Sequence, residues 1–216
     1  APLSPAAIRS RLSIPGTDPT EPHSPNLDQE FQMTKIAVVF HSGYGHTLRL
    51  AEAVAAGAGA QLIPVDADGN LPEGGWDSLN AADAIIFGSP TYMGTVSWQF
   101  KKFADASSKA WFTQAWKDKI FAGFTNSATM NGDKLSTLHY LFTLAMQHSG
   151  IWVGTGLMPS NTKAADRNDV NYVGSFSGAM AQSPSDASPD EMPPGDLETA
   201  RLFGQRVALV TAQFKG

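Results

Sequence analysis

The sequence predicts an α/β fold in which a parallel sheet is covered by helices on both faces. Three observations predict it. Short apolar runs at 35–40, 84–87 and 119–124 show no alternation, as strands buried on both faces do. Each run ends in a loop of small and polar residues. Each loop is followed by a stretch with apolar residues at helical spacing, and such alternation implies right-handed βαβ crossovers.

The elements follow in order. Residues 35–40 predict the first strand, and the Ala-rich stretch to about Ala58 a helix that Gly57 and Gly59 bring to an end. Residues 61–65 predict a second strand and 76–82 a short helix. A third strand at 84–87 precedes a helix over 96–107, where Val96, Phe100, Phe103 and Ala104 share a face. A fourth strand at 119–124 is followed by an amphipathic helix over 134–148. Residues 151–153 predict the last strand, and 196–213 the closing helix, with Pro193 and Pro194 just before it. The count of five strands matches the flavodoxin-like version of the doubly wound sheet. A ligand of that fold sits beyond the carboxyl ends of the strands. Residues 154–194 read as one long polar loop rich in Gly, Ser and Pro, of a length that is functional or an interface element in a compact domain.

Two segments divide the chain. Residues 1–33 carry six of the 14 prolines and predict an extended arm or tag, with Met33 placed as a natural start. Residues 34–216 predict the folded domain. The net charge of −5 and the lack of a basic block argue against nucleic acid as partner. No apolar run has the length of a membrane span. The chain has no cysteine, so thiol catalysis, disulfides and Cys-held metal are excluded, and a reducing compartment such as the cytoplasm fits. No His, Asp or Glu cluster has metal-ligand spacing, so no metal is expected.

Three loops carry the candidate chemistry. Ser42-Gly43-Tyr44-Gly45-His46-Thr47 joins a strand to a helix. A phosphate monoester needs convergent donors, and a helix start supplies unpaired N–H groups and a partial positive charge. Ser42 and Thr47 add hydroxyls, and no Lys or Arg stands in the loop, so neutral donors hold the dianion. The plainer reading is a turn that uses glycine for geometry alone. Pro90-Thr91-Tyr92-Met93-Gly94 and Thr125-Asn126-Ser127-Ala128-Thr129, with Met130, Asn131 and Gly132, follow two further strands. They emerge at the same sheet edge, where backbone amides and an aromatic suit the rim of a flavin ring. Each loop alone is weak; three at successive strand ends make one crevice.

These residues resemble the tryptophan-repressor-binding-protein family of FMN-dependent NAD(P)H:quinone oxidoreductases. Its phosphate loop, Ser-x-Tyr-Gly-His, is matched by Ser42, Tyr44, Gly45 and His46. Its Phe-Gly-(Ser/Thr)-Pro-Thr-x-x-Gly stretch is matched by residues 87–94. Trp111 falls at the spacing of the family's site tryptophan, and His148, shortly before Gly150, at that of its histidine. The resemblance implies FMN as cofactor and NAD(P)H as electron donor, with a quinone-like acceptor served in alternation. It also implies a homo-oligomer, a tetramer. Trp111 and His148 would border the substrate side of the flavin. The plainer readings are packing for Trp111 and a favourable charge at a helix end for His148. The sequence departs from the family at Tyr92, where Arg is usual, and in the third loop, where Asn126, Ala128 and Met130 replace glycines. A flavodoxin-type one-electron carrier and an FMN reductase or azoreductase are the alternatives on the same fold.

Overall fold

The protein was analysed as a computed structural model that describes residues 34–216. The N-terminal arm expected over residues 1–33 lies outside the described residues. Thr34–Gly216 is one compact unit. Its elements run β1 (Ile36–His41), α1 (His46–Ala58), β2 (Gln61–Val65), α2 (Gly75–Ala81), β3 (Ala84–Tyr92), β4 (Thr95–Val96), α3 (Trp98–Ala106) and α4 (Ser108–Phe112). They continue with β5 (Ile120–Ser127), α5 (Lys134–Gln147), β6 (Ile151–Trp152), β7 (Ala179–Gln182) and α6 (Pro194–Lys215).

The main sheet has the order β2-β1-β3-β5-β6, with every neighbour on this path parallel. This is the doubly wound arrangement expected from the sequence. Strand alternation sorts the core into two layers. Val38 and Phe40 of β1, Ile86 of β3 and Phe124 of β5 face α1 and α6, packing on Leu50, Val54, Phe203 and Val207. Val39, Ile85, Phe87 and Phe121 face the other way, onto Phe100, Phe103, Leu138 and Leu141 of α3 and α5. Both faces of the central strands are therefore dry, which explains why their sequences are unbroken apolar runs rather than alternating ones. The first layer is unusually close. A side chain at Gly204 of α6 would place its Cβ 2.1 Å from the Val54 carbonyl oxygen of α1, so only glycine permits this helix contact.

Three expectations are corrected. β3 does not end at Phe87: it runs to Tyr92 and turns through Met93 and Gly94, both at positive φ, into β4. The helix expected from Val96 starts at Trp98, because the Ser97 side chain caps it by accepting from the Phe100 amide. It gives way to α4 after Ser107. The segment 154–194 is not one irregular loop. β7 lies within it and pairs in parallel with Phe124–Ser127 of β5, while β6 pairs only with Ile120 and Phe121. The fifth strand is thus built from two pieces, with residues 153–178 as an excursion between them. Its four residues, Ala179-Met180-Ala181-Gln182, hold only a three-residue apolar run without a β-branched or aromatic residue, so little local announced a strand.

Candidate active site

The order β1-β3-β5 puts the three candidate loops side by side at the carboxyl edge of the sheet. β3 and β5 stay paired as far as Pro90 and Asn126, so the second and third loops leave the sheet together. The first and second loops touch: a Cβ on Gly43 would lie 2.7 Å from the Tyr92 hydroxyl, and the Tyr44 and Tyr92 rings meet edge-on, with centroids 6.4 Å apart. Tyr44 and Met93 are exposed at the rim of this crevice.

The first loop feeds α1 through Gly45, which sits at φ 90° and ψ −27° as the N-cap. That conformation turns the chain so that the first amides of α1 point out of the turn. The N-cap residue has no side chain to cap the helix, and the first turn holds no acidic residue. The Ser42 hydroxyl lies at the centre of the turn, accepting from the amides of Gly45 (3.1 Å) and Leu48 (3.0 Å). Ser42 thus takes two of the amides at this helix start, and the amides of His46 and Thr47 with the Ser42 hydroxyl proton are the donors left for a phosphate dianion. Residues 187–190 cover the turn. His46 pairs through Nε2 with the Ala187 carbonyl at 2.9 Å, Pro189 packs over Gly45, and Asp190 lies 3.8 Å from the Arg49 guanidinium. This cover was not read from the sequence, because it comes from the far end of the chain.

The other two loops contribute less through side chains than expected. The Thr91 and Thr125 hydroxyls turn inward. Thr91 Oγ1 lies 2.8 Å from both Thr125 Oγ1 and Thr137 Oγ1, a buried hydroxyl trio that ties β3 and β5 to α5. These two positions offer a cofactor backbone groups rather than hydroxyls. Asn126 is also buried and accepts from the Ser183 hydroxyl at 2.8 Å. Residues 128–131 form an exposed arch, and beneath it lies a residue the sequence reading passed over as an ordinary helix start, Lys134. A second missed group is Asp196. It is 2% exposed and accepts from Arg167 (2.8 and 2.6 Å) and from the Gln182 amide (2.9 Å). Through these bonds Arg167 pins the excursion to α6 and β7.

Trp111 and His148 come together, but not at this crevice. α5 runs antiparallel to β5, so its start lies beside Ser127 while His148, at its far end, is about 20 Å away along the helix. The His148 ring packs on Trp116 at 4.4 Å and near Phe121, at the beginning of β5. Together with Ala104, Ser107, Trp111 and Tyr140 it lines a groove of about 400 Å³ between α3–α4 and α5. The expectation that both residues border the chain's own flavin crevice is therefore corrected: within one chain they stand at the opposite edge of the sheet.

The reading of His148 as a cationic helix cap is also overturned. Burial, at 2% exposure, lowers its pKa to about 4. The Ser107 hydroxyl spends its proton on the Ala104 carbonyl, so Nε2 of His148 must donate to it, at 2.9 Å. Nδ1 is buried without a partner, and a proton there would have no acceptor. The sign of the pH effect follows. The unfolded chain takes up this proton near pH 6.5 and the folded chain only near 4, so stability falls as the pH drops between them. His41, whose pKa burial also lowers, acts in the same direction. Urea unfolding is expected to lose about 1 kcal/mol from His148 between pH 7.5 and 5.5. A His148→Gln variant should show a correspondingly shallower loss; an unchanged slope would mean that the histidine titrates alike in both states. Beside it, burial and then the nearby Asp105 raise the Tyr140 pKa to about 12, so this phenol keeps its proton and can donate to a ligand in the groove.

Known proteins share this sequence and fold. The family described as NADPH-dependent FMN reductase matches residues 76–164. The chain is 56% identical over 181 residues to flavodoxin FldP of Pseudomonas aeruginosa, covering 84% of this chain and 98% of that one. It is 33% identical to an NAD(P)H dehydrogenase (quinone) of Geotalea uraniireducens, covering 83% of this chain and 98% of the relative. A crystal structure of a WrbA-like flavodoxin from Agrobacterium tumefaciens superposes with a TM-score of 0.68 at 57% identity, covering 83% and 98% of the two chains. The chain belongs to the flavodoxin-like WrbA family. An archaeal flavodoxin at 19% identity and TM-score 0.55 shares the fold. FMN is the cofactor of the family, with NAD(P)H as its electron donor. The residues here fit that group. An acid-free helix start with the Ser42 hydroxyl at its mouth lies at the crevice, and two tyrosines flank it.

Proposed function

We propose that this member of the WrbA family transfers two electrons from NAD(P)H to a quinone-like acceptor, each bound in turn at the same place. The observation that supports the reading is that the three loops leave one edge of the sheet side by side, where α1 begins. In this reading the amides around Gly45, with Ser42 and Thr47, hold the FMN phosphate. Residues 90–94 and the arch at 125–132 line the ring. Bound FMN supplies the hydride acceptor and donor. The protein places the ring, keeps one face open to a flat ligand, and excludes water. Hydride transfer asks for no side-chain acid or base, which fits a crevice whose polar side chains are largely engaged with one another.

The reading includes a homo-oligomer, a tetramer in the cytoplasm where NAD(P)H is supplied. Trp111 is 42% exposed and meets the exposed Phe112 edge-on at 5.3 Å, an aromatic pair suited to an interface. Because Trp111 stands at the opposite sheet edge, it reaches a flavin only when one copy presents its groove to another copy's loops. The expected result for Trp111→Ala is therefore a severalfold rise in both Michaelis constants with FMN still bound. Stacking on a second aromatic surface contributes roughly 0.5–1.5 kcal/mol, about twofold to tenfold. Light scattering on the full chain goes with the kinetics. A fully active monomer, or unaltered constants in the variant, removes Trp111 from the substrate site.

The relative named a flavodoxin favours one other reading, a carrier that only shuttles electrons. The two separate in one assay. An enzyme oxidises NAD(P)H when a quinone is added, whereas a carrier does so only with a separate reductase present. Absence of flavin bands in the spectrum of the purified protein would remove both.

A further inference from the structure

Lys134 is 1% exposed, yet it is the first residue of α5 and follows an exposed loop. Its side chain turns back under that loop. Nζ donates to Ser127 Oγ at 3.1 Å, to the Thr129 carbonyl at 2.7 Å and to the Met130 carbonyl at 2.8 Å. An ammonium has three protons and no acceptor capacity. All three protons are spent on one short stretch of chain, so the arch over residues 127–132 is wrapped around a single buried cation. Within the arch the Ser127 hydroxyl donates to the Thr129 carbonyl at 3.3 Å and Asn131 Oδ1 accepts from the Asp133 amide at 3.0 Å; from outside it, Gln182 Nε2 donates to the Ala128 carbonyl at 2.7 Å.

We propose that Lys134 is the positioning residue of the flavin site: its ammonium holds the arch in the shape that takes the isoalloxazine ring, and the arch loosens when the ammonium loses its proton. This rests on the reading of the three loops as the FMN crevice. A neutral amine has two protons and a lone pair. It can still serve the Thr129 and Met130 carbonyls while the Ser127 hydroxyl turns its proton to the lone pair, but three charge-assisted bonds become neutral ones of roughly half the strength, so the hold on the arch weakens. A structural lysine on the surface would have no such consequence, since water already shares its bonds.

The charges around Lys134 set where this happens. Burial lowers its pKa to about 8, against the opposing pull of Asp196 on α6 and with a smaller push from Arg167 in the excursion. On its own element Asp133 precedes it and is exposed. The switch therefore falls within an accessible pH range. FMN bound to the closed arch favours the protonated lysine, so by linkage its affinity falls as pH rises through this range.

The test uses the full chain stripped of flavin and titrated with FMN between pH 7 and 9, binding being read from flavin fluorescence. The dissociation constant is expected to rise by about tenfold over this range. Lys134→Met is expected to bind FMN about tenfold more weakly at pH 7 and with no pH dependence. The parent profile needs no variant, so it decides the matter if Lys134→Met fails to fold. In parallel, the Cε signal of labelled lysine in the folded apo-protein should titrate near pH 8, and FMN should move that midpoint upward. A parent that binds FMN equally at pH 7 and 9 overturns the role of Lys134 and leaves the FMN crevice standing. A parent that takes up no FMN at pH 7 overturns both.

Discussion

Replacing Gly45 by valine is expected to weaken FMN binding by roughly two to four orders of magnitude while the apo fold survives. Two effects combine. Gly45 sits at φ 90°, where a β-branched residue is strained by about 1–3 kcal/mol. A Cβ there would also lie 2.6 Å from Pro189 Cγ, so the covering segment must move and the bond between His46 and the Ala187 carbonyl goes with it. The loop relieves both by rotating, and the amides at the start of α1 no longer converge. Each hydrogen bond to a charged group contributes about 1.5–3 kcal/mol. Losing two corresponds to about a hundredfold to ten-thousandfold in affinity. The core is spared because Gly45 lies outside both hydrophobic layers. FMN titration of a variant whose melting is cooperative checks this. Unaltered affinity in such a protein would place the phosphate elsewhere.

The largest loss of stability is expected at Asp196. Its carboxylate takes two bonds from Arg167 and one from the Gln182 amide, and it lies in the first turn of α6, where the helix dipole favours an anion. Asp196→Ala leaves the guanidinium, the β7 amide and the nearby Lys134 without their anion. Breaking a buried pair in this way costs about 3–5 kcal/mol, and the partial exposure of the Arg167 side chain, 26%, puts the expectation at the lower end. That is a large share of the roughly 5–15 kcal/mol that holds a domain folded. Urea unfolding measures it. The double variant Arg167→Met with Asp196→Leu should recover most of the loss, since it leaves no unpaired charge. If Asp196→Ala unfolds like the parent, the pair is dispensable and the anchoring of β7 lies in its strand pairing alone.

The sheet was legible because its physical cause is local. β1, β3 and β5 are buried on both faces, and a strand so placed must be apolar at every position, which a short run of residues displays by itself. The loop from Ser42 to Thr47 was legible for a related reason: the glycine, the hydroxyls and the helix start are neighbours in the chain. The three loops shared an edge as soon as the strands were parallel, since parallel strands send all their carboxyl ends one way.

What the sequence could not determine are the groups whose partners stand far along the chain. β7 is four residues with no β-branched or aromatic member, and the open flank of β5 makes it a strand. Asp196 and Arg167 stand 29 residues apart, so neither carries a local sign of its partner; the packing of α6 against β7 brings them together and removes the water. Lys134 became a buried cation because the arch after β5 folds back over the start of α5 and supplies its three oxygens. Trp111 and His148 stood at the right spacing, but spacing carries no direction. The run of α5 back along β5 carries His148 to the other end of the sheet from the loops, and α3 carries the chain to Trp111 beside it.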